Sequence, residues 1–248
     1  MDNQVFDRIE KKYLITPDQK KQILRTIQTK MEKDKYHKSK VLNVYFDTDN
    51  YDLIIQSIDQ PLFKHKIRAR NYVGYNRVFL EIKTKLRGKD TNPGYKRRIM
   101  LTRQDYKELI GNRVTATEII SRSNNTYSDA QIAKEIDYFK NYYGKLQPYI
   151  LILYDRIAFK KKEIDLRITF DRNTRYRATR LSLSDGLDGT LLLEPGHVLM
   201  EIKSSLGFPR WLVDLLNEQK SYKRSFSKVG EAHKRELILS MQEEKKIV

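Results

Sequence analysis

Basic residues occupy every second position of residues 64–70, whose sequence is Lys64-His-Lys66-Ile-Arg68-Ala-Arg70. Side chains two residues apart lie on the same face of a β-strand. The cations of this segment therefore share one face, whereas Ile67 and Ala69 lie on the other. We predict a strand over residues 61–72 that presents positive charge on one side and packs against a core on the other.

The same alternation recurs along the chain. Residues 77–86 place Glu81 and Lys83 on one face, and residues 196–205 do the same with Glu201 and Lys203. Consecutive segments of this kind indicate a sheet built mainly from neighbouring strands. We predict strands over residues 5–14, 41–48, 61–72, 77–86, 94–101, 148–160, 163–172, 174–183 and 196–205.

Helices are fewer and are marked by capping signals. Residues 16–19 (TPDQ) combine an N-cap, a proline at the first helical position and a capping-box glutamine, and Ser128 with Gln131 marks a second helix start. Further helices are predicted over 103–110, 209–218 and 231–243, and the basic run 33–40 is expected to be a solvated loop or helix end. Because helices do not alternate regularly with strands, we predict an α+β fold with an antiparallel sheet or barrel, in one domain over residues 1–248.

Composition excludes several classes of protein. The chain has 248 residues and a formal net charge of +17, and it contains no cysteine, which excludes disulfides and thiolate metal sites. Its four histidines lack the spacing of a zinc site. The longest apolar run is far shorter than the roughly 20 residues of a membrane helix. We therefore expect a cytoplasmic protein with a polyanionic ligand.

The charged strand faces allow two interpretations. Each strand alone is typical of an amphipathic sheet with its charges in water. Taken together, the faces are mostly lysine and arginine, and the helices supply enough apolar surface to cover the sheet from outside. A barrel of about eight strands would then enclose a charged lumen wide enough for a small ligand. Phosphate chains would relieve the repulsion between cations in such a lumen.

A series of short motifs resembles the VTC (vacuolar transporter chaperone) domain, a polyphosphate-polymerase branch of the triphosphate tunnel metalloenzymes, or CYTH-like superfamily. The superfamily has Glu-x-Glu-x-Lys in its first strand, whereas this chain has Arg8-x-Glu10-x-Lys12, as in the VTC branch. The motifs lie in order along nearly the whole chain: 8–13 (RIEKKY), 45–48 (YFDT), 66–70 (KIRAR), 81–83 (EIK), 95–98 (YKRR), 154–158 (YDRIA), 165–173 (DLRITFDRN), 201–203 (EIK) and 225–228 (SFSK).

The resemblance implies an antiparallel tunnel barrel that binds a triphosphate or polyphosphate. Arginine suits bidentate phosphate contacts, and lysine supplies a compact charge. The candidate catalytic residues are Lys12, Arg68, Arg70, Lys83, Arg156 and Lys203. The candidate phosphate-binding residues are Arg8, Lys66, Arg98, Tyr154, Arg167 and Lys228, although Tyr154 could equally be a core residue.

The resemblance also implies a divalent metal, Mn²⁺ or Mg²⁺, and both ions prefer oxygen ligands. Glu201 is the first candidate ligand, because the family keeps its metal carboxylate in that strand. Glu10 and Glu81 are further candidates, and either could instead orient a neighbouring cation. Asp47 and Thr48 match the family pattern, but a turn-forming role is favoured for them.

Three functions stay open at this point. The first is a polymerase that transfers the γ-phosphoryl group of ATP to polyphosphate and releases ADP. The second is a hydrolase of triphosphate or short polyphosphate, and the third is a binding module without catalysis. The expected ligands are ATP and inorganic polyphosphate or triphosphate. We expect no specific nucleic acid and no membrane segment in this chain, and leave membrane or regulatory partners open.

Overall fold

The computed structural model describes residues 9–59, 62–86, 94–122 and 126–247, with the backbone alone for residues 243–247. The strands are β1 (Ile9–Ile15), β2 (Glu32–Asp47), β3 (Phe63–Tyr72), β4 (Arg77–Leu86), β5 (Gly94–Thr102), β6 (Gln147–Lys161), β7 (Leu166–Arg177), β8 (Thr190–Leu191) and β9 (Val198–Ser204). The helices are α1 (Pro17–Lys30), α2 (Asp52–Asp59), α3 (Arg103–Ile110), α4 (Ala116–Ser121), α5 (Tyr127–Tyr142), α6 (Arg210–Glu218) and α7 (Lys228–Ile247).

The strands form an antiparallel sheet in the order β1-β9-β7-β6-β2-β3-β4-β5, with β8 paired to β7. Strands β1 and β4 are far apart in this order, yet Glu10 of β1 interacts electrostatically with Lys83 of β4. The sheet therefore curls until its two ends face each other across a concave side, which we call the lumen. Within the described residues β1 and β5 are not paired, so the tunnel wall is curled but not closed. The predicted fold class is confirmed.

The convex side of the sheet carries the core, because the apolar residues of each strand alternate with the cations. Ile67, Ala69, Leu80 and Ile82 pack beneath helices α3 to α5 in one cluster. A second cluster joins α1 and α6 to β1, β7 and β9, and Trp211 packs against it as a core anchor. Within the described ranges, no helix is long and apolar enough to cross a membrane.

Helix α7 covers part of the concave side. Val41 shares its strand face with Asn43, whose Oδ1 accepts a hydrogen bond from the lumen residue Arg70 at 2.9 Å. Val41, Ile152 and Tyr154 form an apolar cluster with Val229 of α7. One end of the lumen is therefore apolar and covered by a helix, and the charged residues occupy the remainder.

Several predicted element boundaries are wrong. The basic run at 33–40 is part of β2, because a bulged pairing with β6 continues through it and His37 Nδ1 lies 2.8 Å from the carbonyl oxygen of Ala158. The strands predicted over 163–172 and 174–183 are one strand, β7, which ends at Arg177. Beyond it Arg180 adopts a φ of 49° and the chain turns away from the sheet. Helix α7 begins three residues earlier than predicted, at Lys228.

Two helices that the sequence patterns did not indicate are also present. Helix α2 is held by Asp47, whose Oδ1 accepts from the backbone N–H groups of Thr48 and Leu53 and whose Oδ2 accepts from that of Ile54, each at 2.9 Å. Helix α4 begins after Thr115, which forms a capping box with Glu118. The turn-forming role favoured for Asp47 and Thr48 agrees with these contacts.

Candidate phosphate-binding tunnel

A buried carboxylate, Glu81, organises the cations of β3 and β5. Its Oε2 lies 2.7 Å from Arg68 Nε and 3.8 Å from Arg70 Nη2, and its Oε1 lies 2.7 Å from Lys96 Nζ. Burial raises the pKa of Glu81, but the three surrounding cations outweigh burial and hold it well below its usual range. Glu81 is therefore a counter-ion that orients the cations around it. Lys96 was not among the predicted site residues, although it shares a strand face with Arg98.

A second cluster lies on β6, β7 and β9. Asp171 accepts from Arg156 Nε at 2.6 Å and Nη2 at 2.7 Å, and from Lys228 Nζ at 2.6 Å. Glu201 is held more loosely, with Lys228 Nζ at 3.3 Å and Arg156 Nη2 at 3.6 Å. Asp171 was not among the residues predicted from the sequence. Its only sequence signal was the motif 165–173, because its partners come from distant segments.

The third carboxylate, Glu10, lies between lysines of β1 and β9. Its oxygens are 3.6 Å from Lys12 Nζ and 3.4 Å from Lys203 Nζ. Burial raises the pKa of Glu10, but the charges of Lys203 and Lys83 prevail and lower it to about 2. Glu10 is thus ionised and contributes to neutralising these lysines.

Lys66 and Lys83 are cross-strand neighbours on β3 and β4, and neither forms a close ion pair with a carboxylate of the described residues. Burial and the nearby charges of Lys12 and Lys83 lower the pKa of Lys66 to about 7. Desolvation by the lumen wall lowers the pKa of Lys83 to about 8 despite the charge of Glu10, and it does the same to Lys96 despite Glu81, although both side chains keep contact with solvent. An anion in the lumen would stabilise the protonated form of all three lysines.

The segment before α7 crosses the lumen and brings its own groups to it. Arg224 N donates to the carbonyl oxygen of Lys12 at 2.8 Å, and Lys12 Nζ donates to that of Phe226 at 2.8 Å. Lys66 Nζ donates to Ser227 Oγ at 3.2 Å. The 225–228 motif therefore lies against β1 and β3 and places Lys228 between Asp171 and Glu201.

The remaining predicted residues are less central or not described. The Tyr154 ring is buried, with Arg156 Cζ 5.0 Å and Lys228 Nζ 4.7 Å from its centroid. Arg98 shares a strand face with Glu81 and stacks over Phe79. Arg167 is held by Asp34, with Nε 2.8 Å from Oδ2, and lies away from the Asp171 cluster. Arg8 lies outside the described residues.

The oxygen groups near Glu201 fit a divalent metal. Glu201 has no short ion pair, and the hydroxyl of Thr169, its cross-strand neighbour, is buried without a hydrogen-bond partner in the described part of the chain. No group of three or more histidines or carboxylates that could hold a metal occurs there either. A Mg²⁺ or Mn²⁺ ion would therefore take most of its oxygen ligands from substrate and water. Both Asp171 oxygens already accept hydrogen bonds, which leaves Glu201 as the better ligand.

A curled antiparallel sheet with a cation-lined concave side defines the fold class of this chain. A similar structure is that of a putative adenylyl cyclase from Hippeastrum described as having a dominant triphosphatase activity, with a TM-score of 0.51, 15% identity, and coverage of 90% of this chain and 93% of that chain. Another is a putative adenylate cyclase from Vibrio parahaemolyticus, with a TM-score of 0.49, 12% identity, and coverage of 93% and 99%.

Within this class, the sequence matches the VTC domain model over residues 7–235, and the chain belongs to the VTC domain family. The resemblance carried by the motifs is thus confirmed. No curated protein matches the sequence.

Proposed function

We propose that this chain is a polyphosphate polymerase that transfers the γ-phosphoryl group of ATP to the end of an inorganic polyphosphate chain and releases ADP. The main observation behind the proposal is that Lys66 and Lys83 face each other across two strands in the lumen without a close ion pair to any described carboxylate. A chain of phosphates supplies the repeated negative charge that this surface lacks. Membership of the VTC domain family supports polyphosphate as that chain.

The mechanism assigns positioning and charge neutralisation to the lumen residues. Phosphoryl transfer needs an in-line arrangement and stabilisation of the charge on the transferred oxygens, with little covalent work by the protein. Arg68, Arg156 and Lys228 would contact phosphate oxygens, while Glu81 and Asp171 hold these cations in place. A terminal oxygen of the polyphosphate chain attacks the γ-phosphorus, and the bond to the ADP oxygen breaks. No side-chain nucleophile is required.

Glu201, with the Thr169 hydroxyl beside it, would hold the divalent metal that the family implies. The ion would neutralise phosphate oxygens when bound, and Mn²⁺ and Mg²⁺ suit this oxygen donor set equally. Lys228 is near enough to Glu201 to compensate its charge without the ion. The protein residues thereby keep the carboxylate ionised whether or not the metal is present.

The decisive experiment incubates the purified protein with ATP and Mn²⁺ or Mg²⁺, then resolves the products on a gel alongside ADP and free-phosphate assays. Long phosphate chains with an equal yield of ADP support the proposal. Lys66→Met should reduce synthesis at least tenfold, whereas the matched surface variant Lys38→Met should leave it unchanged. Tight, salt-dependent polyphosphate binding without any turnover would indicate a binding module instead.

A hydrolase of triphosphate or short polyphosphate is the second candidate. The observation that favours it is the apolar end of the lumen beneath α7, which suits a short substrate better than a long one. The dominant triphosphatase activity described for the Hippeastrum protein is consistent with this alternative. Free phosphate released from triphosphate, with no chain growth from ATP, would favour the hydrolase.

A further inference from the structure

The carboxylate of Asp171 joins cations from two separate elements. Arg156 of β6 binds it through both Nε and Nη2, and Lys228, the first residue of α7, binds Oδ2 at 2.6 Å. The carboxylate is completely buried. Asp171 therefore fixes the position of a strand cation relative to a helix cation.

Arg156 keeps a donor available for a ligand. Arg156 Nη1 makes no hydrogen bond to any residue in the described ranges, while Nε and Nη2 are held by Asp171. Arg156 and Lys228 also contact the same ring, that of Tyr154. The carboxylate on one side and the ring on the other leave these two long side chains little freedom.

We propose that Asp171 is a positioning residue that holds Arg156 and Lys228 in the arrangement that phosphate oxygens of the substrate require. The inference rests on the proposed function, because it takes a phosphate chain as the ligand of the lumen. A long, flexible side chain that becomes ordered during binding loses conformational entropy, and this loss weakens the binding. The Asp171 contacts order both cations when the protein folds. The entropy of these side chains is therefore lost on folding and not when the substrate binds.

Two roles for Asp171 predict opposite changes in anion affinity when its carboxylate is removed. In one role Asp171 positions its two partner cations, and in the other it only contributes a negative charge to the lumen. Removal of a negative charge raises the net positive charge of the lumen, so Coulomb attraction alone would tighten the binding of an anion. If Asp171 positions its two partners, the same removal weakens binding, because both cations lose their fixed geometry. The direction of the change therefore separates the two roles.

The test measures binding of inorganic triphosphate to the full chain by titration calorimetry, without metal. Asp171→Asn should raise the dissociation constant about tenfold. Asp155→Asn is the matched control: Asp155 also lies on the β6–β7 pair but binds Lys40 and Asn173, and its loss should leave binding unchanged. If the folded Asp171→Asn protein binds triphosphate as tightly as wild type, or more tightly, the inference is wrong.

A second variant covers the case in which Asp171→Asn does not fold. Asp171→Glu keeps the charge but displaces the carboxylate, so weaker triphosphate binding supports positioning and unchanged binding overturns it. A wild-type protein that binds no triphosphate would overturn this inference together with the proposed function. Triphosphate binding without chain synthesis would overturn the polymerase alone and leave this test valid.

Discussion

Lys66 of β3 and Lys83 of β4 are direct cross-strand neighbours in the lumen, and neither ammonium forms an ion pair with a described carboxylate. Two like charges opposite each other in a sheet are unfavourable. Lys66 is half-buried, so its repulsion from the exposed Lys83 is less screened than between two charges in open water. An anion bound beside the pair would reduce this repulsion.

The first prediction concerns protons taken up on binding. The pKa of Lys66 is lowered to about 7, so this group is largely neutral at pH 8 and becomes protonated when an anion binds beside it. Triphosphate affinity should therefore fall as pH rises from about 7 to 9. Titration calorimetry in two buffers of different ionisation enthalpy should detect net proton uptake at pH 8. Lys66→Met should reduce that uptake, and Lys38→Met should not.

The second prediction concerns the stability of the free protein. The pKa of Lys66 is lowered on folding, so the unfolded state binds more protons above about pH 7, and stability should rise with pH up to the unfolded pKa near 10.5. Lys66→Met removes the repulsion and should stabilise the protein at pH 7 by about 1 kcal/mol or more. Chemical denaturation at pH 7 and pH 9 measures both effects. A destabilised Lys66→Met protein would contradict the assignment.

The third prediction separates the counter-ion role of Glu81 from metal binding. Glu81→Gln leaves Arg68, Arg70 and Lys96 without their carboxylate and should destabilise the protein by about 3–5 kcal/mol. Mn²⁺ affinity, measured by calorimetry on the folded variant, should not change. A large loss of Mn²⁺ affinity with unchanged stability would instead make Glu81 a metal ligand.

The fourth prediction concerns Glu201 as the metal ligand. Glu201→Gln should abolish metal-dependent turnover and weaken Mn²⁺ binding at least about tenfold, while Lys228 and Arg156 keep their bonds to Asp171 and preserve the fold. Glu194→Gln, at an exposed carboxylate shortly before β9, serves as the control and should behave as wild type. Turnover that survives in Glu201→Gln would exclude this ligand assignment.

The fifth prediction concerns α2. Asp47→Ala removes the acceptor of three backbone N–H groups and should cost about 2 kcal/mol of stability, since a lost cap and buried unpaired donors act together. Triphosphate affinity of the folded variant should match wild type, because Asp47 does not contact the lumen cations. A selective loss of affinity would instead give Asp47 a role in the site.

Sequence alone could predict the strand faces, because alternation is local. The positions of Arg68, Arg70, Glu81 and Lys83 on one side of the sheet follow from spacing within single strands. The resemblance to the family then predicts that this charged side lines the inside of the tunnel. The location of the protein and its single-domain organisation stay predictions.

Other features could not be predicted from residue spacing, because they depend on contacts between distant segments of the chain. Asp171 gains its role from Arg156 and Lys228, which lie 15 and 57 residues away. The basic start of β2 becomes a strand only because β6 pairs with it. Helix α2 was missed for a local reason, because its capping carboxylate, Asp47, lies at the end of the preceding strand and not next to the first helical residue.

The contact between Lys12 and Phe226 joins residues 214 positions apart and brings a segment that follows the last strand into the lumen. During synthesis the strands from β1 to β9 emerge before the 223–228 segment and α7. The protein can thus form most of its sheet early, but Ser227 and Lys228 reach the tunnel only after every strand of the sheet has emerged. Ligand-binding competence therefore follows formation of the sheet, because a chain that lacked this segment would lack both groups.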